Sequence, residues 1–318
     1  MRRHNVYNLD TLIKQLWDYE PNIVRRIYNL LFVRCDKYLI NDFKKYKSRL
    51  IHLLPEPNKR SICSGKTHTA YINVIILDNS ITHIDKNAFK NLGSLHNITL
   101  SKNLVSIGYS SFLKCKKLNS LIIPKSVTNI GWGAFYHCTN LKSVKFLNNK
   151  FKAIPTNAFT RCQKLKDVLL PSNLEGICDG AFSFCDSLES LNIPKSLKYI
   201  SPGAFRNCIS LKSVVIPDNV KVINYETFSG CTALEKVVIG KNVTKIDYRA
   251  FSDCENLKSI RIPFSVNNIS QYTFHNTRKL KSHSILNDGK VIICLLKVIK
   301  KIRKSNTKSK GKITAYVV

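Results

Sequence analysis

A repeat solenoid, rich in β-strand with short helical or 3-10 turns, is the fold class predicted for this chain, with a small α-helical cap at its N-terminal end. Three observations predict it. A cysteine returns every 23 or 24 residues in the frame Phe-x-x-Cys-x-x-Leu, as in FYHCTNL, FTRCQKL and FSFCDSL. Each frame is preceded by alternating apolar and polar residues, as in SVVIP at 213–217 and SIRIP at 259–263, the pattern of a half-buried strand. Nine units stand in tandem, ending at Leu95, Leu118, Leu141, Leu165, Leu188, Leu211, Leu234, Leu257 and Leu280. One such unit cannot bury its apolar side alone, whereas stacked neighbours share a continuous core.

The elements follow in chain order. Residues 1–54 are predicted to be α-helical: Leu9–Glu20 and Asn22–Leu54 carry helix-like apolar spacing, with Ile23, Ile27, Leu30 and Leu31 as anchors. Pro21 suits a helix start, and helices here would cover the open first rung, because solenoids need caps. Residues 55–72 read as a linker and a leading strand. The units span 73–280. Their strands end in five cases at proline (Pro124, Pro171, Pro194, Pro217, Pro263), which cannot donate to a ladder. After a second apolar pair such as Val127 and Ile130, Phe, Cys and Leu at i, i+3 and i+6 predict one face of a short helical turn. With strands about 4.8 Å apart, nine rungs give a right-handed solenoid roughly 40 Å long. Residues 281–318 form a basic tail, and KITAYVV at its end (Ile313, Tyr316, Val318) has the spacing of a capping strand.

The unit resembles the BspA type of leucine-rich repeat over residues 73–280: length, Pro, Phe and Cys positions recur together, as in SLKSVVIPDNVKVINYETFSGCTAL. That resemblance implies a binding role, since relatives on bacterial surfaces act in adhesion. The Asn-, Lys-, Ile- and Tyr-rich head followed by repeats is similar to the leucine-rich family of avian poxviruses, which implies a host protein as target. Departures lie at the edges, with Leu92 and Thr277 in the cysteine slot of the first and last units.

The ladder Phe112, Cys115, Phe135, Cys138, Phe159, Cys162, Phe182, Cys185, Phe205, Cys208, Phe228, Cys231, Phe251 and Cys254 is read as buried structure. Zinc ligands come in close pairs such as C-x2-C, and none is present. A bridge or ligand could not be replaced by Leu92, so the cysteines are small, soft apolar fillers. Cys178 lies outside the ladder, in the turn slot of Gly108 and Gly131, and is the thiol expected to be exposed. Eight scattered histidines, and the absence of GxSxG, HExxH, P-loop and GxGxxG motifs, argue against an enzyme; no cofactor is expected.

The strand positions facing away from the core are the expected recognition surface: Ile76, Thr99, Ser120, Ile122, Ser143, Lys145, Leu169, Asn192, Ser213, Val215, Lys236, Val238 and Arg261. They mix hydroxyls and aliphatics and include no aromatic. This suits a protein partner, and a non-enzymatic protein–protein interaction scaffold is the expected function. The alternative follows from charge. The chain holds 51 Lys and Arg against 20 Asp and Glu, net +31, an excess spread along the chain and densest in the tail. A basic anion-binding module contacting nucleic acid or acidic membrane lipid is therefore the second expectation. MRRHNVYNLD lacks an apolar core of a secretory signal, and VIICLL is far shorter than the ~20 residues of a membrane span. A monomer in the reducing cytoplasm is expected.

Overall fold

The computed structural model describes residues 74–77, 79–147 and 150–280, and the backbones of four strands outside them: Phe32–Arg34, Leu50–Leu54, Ser61–Ile62 and Ile285–Asn287. The described residues form a parallel β-solenoid. Each rung contributes a first strand, such as Ser120–Ile123, Ser143–Phe146 or Ser213–Val215. A two-residue second strand follows, such as Asn129–Ile130 or Gly176–Ile177. Pairing is parallel and in register by repeat position, with Ser120, Ser143 and Asp167 side by side and then Ile122, Lys145 and Leu169. A shift by one residue would exchange the buried and exposed sets.

The ladders are interrupted at places that the sequence marks. Second strands run unbroken from Ser61–Ile62 to Asn129–Ile130 and again from Ala153–Ile154 to Asn268–Ile269. The gap between them falls in the one 24-residue unit, where FLNNKFKAIP carries the extra residue. First strands pair in three groups, and residues 190–193 form none, although Leu191 and Ile193 still face inward and Asn192 outward.

Phenylalanine fills the core because it recurs at one position of every rung. Phe112 and Phe135 stack at 5.2 Å between ring centroids, and Phe205 and Phe228 at 5.4 Å with planes 1° apart. The column runs from Phe89 to Phe274. Each buried ring contributes about 1.5–3 kcal/mol from area alone, so the column dominates the stability of the array. Beside it lie Cys138 and Leu141, both fully buried, and their counterparts in the other rungs.

Two expectations need correction. The Phe-x-x-Cys-x-x-Leu segments are linked turns rather than helical turns. Cys138 N–H donates to the Phe135 carbonyl and Leu141 N–H to that of Cys138, three residues back in each case. Between them, Phe135 N–H and His137 N–H donate instead to Ala158 and Thr160 of the next rung. Two residues per rung at left-handed φ divert the chain this way, for example Gly133 (60°) and His137 (63°). Left-handed residues cannot continue a right-handed helix, and here they convert intra-turn bonds into inter-rung ones.

The second correction concerns the head. Within the span 22–54 predicted as helix, Phe32–Arg34 and Leu50–Leu54 are strands, paired in parallel with each other and with Val74–Leu77. Ser61–Ile62 likewise pairs with His83–Ile84. An open parallel edge leaves unpaired backbone groups, and these strands extend both ladders upstream of residue 73. At the other end Ile285–Asn287 pairs with Ile260–Ile262. The helix expected over Leu9–Glu20 and the capping strand expected in KITAYVV lie outside the described residues.

Candidate functional site

The first-strand ladder places its outward positions in two rows. The alternation that buries Leu121, Ile123, Val144, Val214 and Val237 turns their neighbours to solvent. Thr99, Ser120, Ile122, Lys145, Leu169, Asn192, Ser213, Val215, Lys236, Val238 and Arg261 are exposed, while Ile76 and Ser143 are half-buried. In the second row Ile76 lies beside Thr99, Lys145 between Ile122 and Leu169, and Val238 between Val215 and Arg261. Exposure is 57% for Ile122, 55% for Leu169 and 59% for Val215. Large aliphatics left this open on a rigid, ordered surface are a feature of contact sites.

The cysteine ladder has more chemistry than the sequence shows. Each thiol donates to the carbonyl oxygen of the phenylalanine one rung earlier: Cys138 Sγ to Phe112 at 3.2 Å, Cys208 Sγ to Phe182 at 3.1 Å, Cys254 Sγ to Phe228 at 3.2 Å. Burial pushes the Cys115 thiol up to about 12 and raises the others as well. They therefore stay protonated and donating. The eight cysteines among the described residues are free. Thr277, in the same slot, turns its hydroxyl to its own rung's Phe274 carbonyl. In the seven cysteine rungs the slot thus supplies a buried donor as well as an apolar volume, whereas Leu92 supplies the volume alone.

Charge is distributed less evenly than the totals suggest. Between Asp85 and Asp167 there is no Asp or Glu, but fourteen Lys and Arg; after Asp167, residues up to 280 hold 13 basic and 10 acidic. In the later rungs lysines neutralise these acids across the ladder. Lys212 reaches Glu189 at 2.7 Å, and Lys152 and Lys198 reach Glu175 at 2.6 and 2.7 Å. Hydrogen bonds from those two ammoniums hold Glu175 down to about 2. Among the described residues Lys114, Lys116 and Arg161 of the acid-free stretch make no such ion pair, and its turns expose what the strand face lacks. Tyr109 packs on Trp132 at 4.2 Å between rings, and Trp132 is 55% exposed. Lys114, His137 and Arg161 occupy equivalent left-handed turn positions in successive rungs. Sequence reasoning missed this group because only the turn geometry brings those side chains outward; the acid-free run was the available signal.

A family model of the BspA type leucine rich repeat region matches residues 67–189 and 175–293, in six copies. The chain belongs to the BspA-type leucine-rich repeat family. Among solved structures, a leucine-rich repeat protein from Bacteroides ovatus is 25% identical over 70% of this chain and 75% of its own, with a TM-score of 0.43. The leucine-rich repeat protein of T. pallidum is 24% identical over 72% and 82%, TM-score 0.44. A leucine rich cell surface protein from Faecalibacterium prausnitzii is 23% identical over 76% and 91%, TM-score 0.39. No curated protein matches the chain. Among the described residues of this BspA-type array, no helix is long and apolar enough to cross a membrane.

Proposed function

We propose that the protein is a non-enzymatic recognition module whose first-strand face docks a protein partner. The observation that carries this reading is the row of exposed aliphatics Ile122, Leu169, Val215 and Val238 at one repeat position of two parallel ladders, with Lys145 and Asn192 among them and Arg261 beyond Val238. Burying such residues supplies the core of an interface, and the polar neighbours supply its orientation. Leucine-rich repeat arrays of this kind commonly mediate protein–protein contact and are typically not enzymes. The module acts as a monomer in a reducing compartment, and on the poxviral resemblance its partner is a host protein of the infected cytoplasm.

Affinity capture with the full chain, beside a Leu169→Lys/Val215→Lys variant of equal thermal stability, tests the proposal. A defined protein retained by the first and lost by the second, in moderate salt, supports the strand face. Identical retention by both removes it.

A further inference from the structure

We propose that the turn side of the acid-free rungs, away from the strand face, binds single-stranded nucleic acid. Its cations are Lys114, Lys116 and Arg161, all exposed and without a carboxylate partner among the described residues. Three consecutive rungs supply Lys114, His137 and Arg161 from one turn position, with φ of 60°, 63° and 62°. The rungs repeat at 5.2 and 5.4 Å between Phe112, Phe135 and Phe159, so the three side chains start from a line parallel to the solenoid axis. Lys114 and Arg161, two rungs apart on that line, and Lys116 two residues after Lys114 offer their charges to a phosphodiester backbone, whose own charges repeat along the strand.

Charge alone does not distinguish a nucleic acid from any other polyanion; aromatic side chains do. Strands bound without sequence preference lie on a basic track with aromatic faces beside it, on which bases stack. In the same rungs Trp132 is exposed and packs on Tyr109, and Tyr136 lies 6.2 Å from the His137 ring. Trp132, Tyr136 and His137 fall within one turn segment of six residues. The first-strand face has no aromatic in its outward rows, so the pairing of basic and aromatic residues is confined to this side.

Occupancy of that turn position also points here. The left-handed turn position filled by Lys114, His137 and Arg161 is Asn in Asn91, Asn207 and Asn276, Gly in Gly230, Asp in Asp253 and Phe in Phe184. Asn and Gly tolerate that backbone best. Lys114 and Arg161 are the two permanently charged cations among the nine occupants of this position, and they flank His137. His137 reports the resulting field: burial first, and then Lys116, Arg161 and Lys114, lower its pKa.

Fluorescence anisotropy of the full chain with fluorescein-labelled 20-mers of oligo(U) and oligo(dT), at 50 and 200 mM NaCl, tests the proposal. A strand meeting about four cations should lose roughly 50-fold in affinity between those salts. Lys114→Asn/Lys116→Thr/Arg161→Asn uses residues that the same turn positions hold in other rungs, at Asn91, Thr139 and Asn207, so the fold is preserved. This variant should weaken binding and reduce the salt slope by about 2. Trp132→Thr, the residue found at Thr156, should weaken binding about tenfold at both salts with the slope unchanged. A tail variant, Lys304→Ala/Lys308→Ala/Lys310→Ala, removes the same charge elsewhere and should retain most of the affinity. Equal losses in the tail variant overturn the site. So does an unaltered affinity in Trp132→Thr, or binding to phosphatidylserine vesicles or an acidic peptide that matches binding to the oligonucleotides.

Discussion

The Cys138 thiol donates to the carbonyl oxygen of Phe112, one rung earlier, at 3.2 Å. The same oxygen accepts the Cys115 N–H of its own rung at 3.0 Å, so both lone pairs are used. Phe135, with Cys162 Sγ at 3.3 Å, repeats the arrangement. A periodic cysteine therefore links rungs without forming a bridge or binding a metal. It does so from the base of the phenylalanine column, where water cannot replace it.

Replacing that donor separates its volume from its bond. Cys138→Ala removes the sulfur and leaves a small cavity, and should cost about 1–2 kcal/mol. Cys138→Val is slightly larger than cysteine, so it leaves no cavity but leaves the Phe112 carbonyl one partner short, and about 0.5–1 kcal/mol is expected. Urea unfolding followed by circular dichroism gives both values. A valine variant as stable as the native chain would show that the thiol bond contributes no more than the added methyl group.

Alkali should undo the same ladder. The folded chain holds Cys115 up to about 12 against 9.0 when exposed, because burial disfavours the thiolate. A raised folded pKa means that the folded state keeps its proton while the unfolded chain loses one. The contribution is therefore intact below pH 9 and is lost as pH rises from about 9 towards 12. Melting temperatures taken from pH 8 to 10.5 should fall. They should fall less steeply in a Cys138→Val/Cys162→Val/Cys185→Val variant, which isolates the thiols from lysine titration.

Among the eight described cysteines, Cys178 should be alkylated first. It is half-buried, whereas the seven ladder thiols are buried. Burial raises its pKa, with a bond to Tyr199 acting against the rise, so reaction at pH 8 should be slow. Peptide mapping after brief iodoacetamide treatment reads the order. Modification of Cys138 or Cys185 at a comparable rate would mean that the rungs open locally.

Much of this architecture was legible in the residues. Phe112, Phe135 and Phe159 recur beside Cys115, Cys138 and Cys162 because one rung's core is the next rung's core, and identical volumes stack best. The outward rows followed from strand alternation. The turns were misread because Phe, Cys and Leu at i, i+3 and i+6 lie on one side of a helix and equally on one side of two linked turns. Only left-handed backbone separates these, and Lys114, Arg161 and Phe184 at φ of 60°, 62° and 58° do not announce it as glycine would. Leu50–Leu54 escaped notice because LIHLL, although followed by Pro55, is not followed by a Phe-x-x-Cys-x-x-Leu frame. The thiol bonds escaped because their acceptor belongs to another rung.

Close approach of the rungs predicts the effect of a single methyl group. A Cβ built on Gly131 would lie 2.3 Å from the Tyr109 nitrogen and 2.5 Å from its Cα. Both are backbone atoms and cannot swing aside. Gly131→Ala should therefore force the second and third rungs apart at the turn and cost about 2–4 kcal/mol. Gly93→Ala, where the nearest such atom is 4.0 Å away, is the control expected to stay within about 0.5 kcal/mol. Comparable melting temperatures for the two variants would contradict the packing described.

Glu226 joins three rungs through one carboxylate. Its side chain is 6% exposed, Arg206 of the preceding rung lies 2.9 Å from one oxygen, and Arg249 of the following rung lies 3.9 Å from the other. Its φ of 50° places it in the left-handed region. Two effects therefore oppose one another at this residue: the backbone prefers glycine, while the arginines require a carboxylate. Glu226→Gln keeps the shape and removes the charge. It should cost about 1–2 kcal/mol, a modest figure because both arginines remain partly in solvent. Glu226→Ala should be the most damaging change, since it loses the ion pairs and keeps the backbone penalty. Glu226→Gly loses the pairs but removes that penalty, and should be more stable than the alanine variant by about 1 kcal/mol. Urea unfolding of the three variants orders them. A glycine variant no more stable than alanine would show that the left-handed backbone costs nothing here, and that the ion pairs alone hold the position.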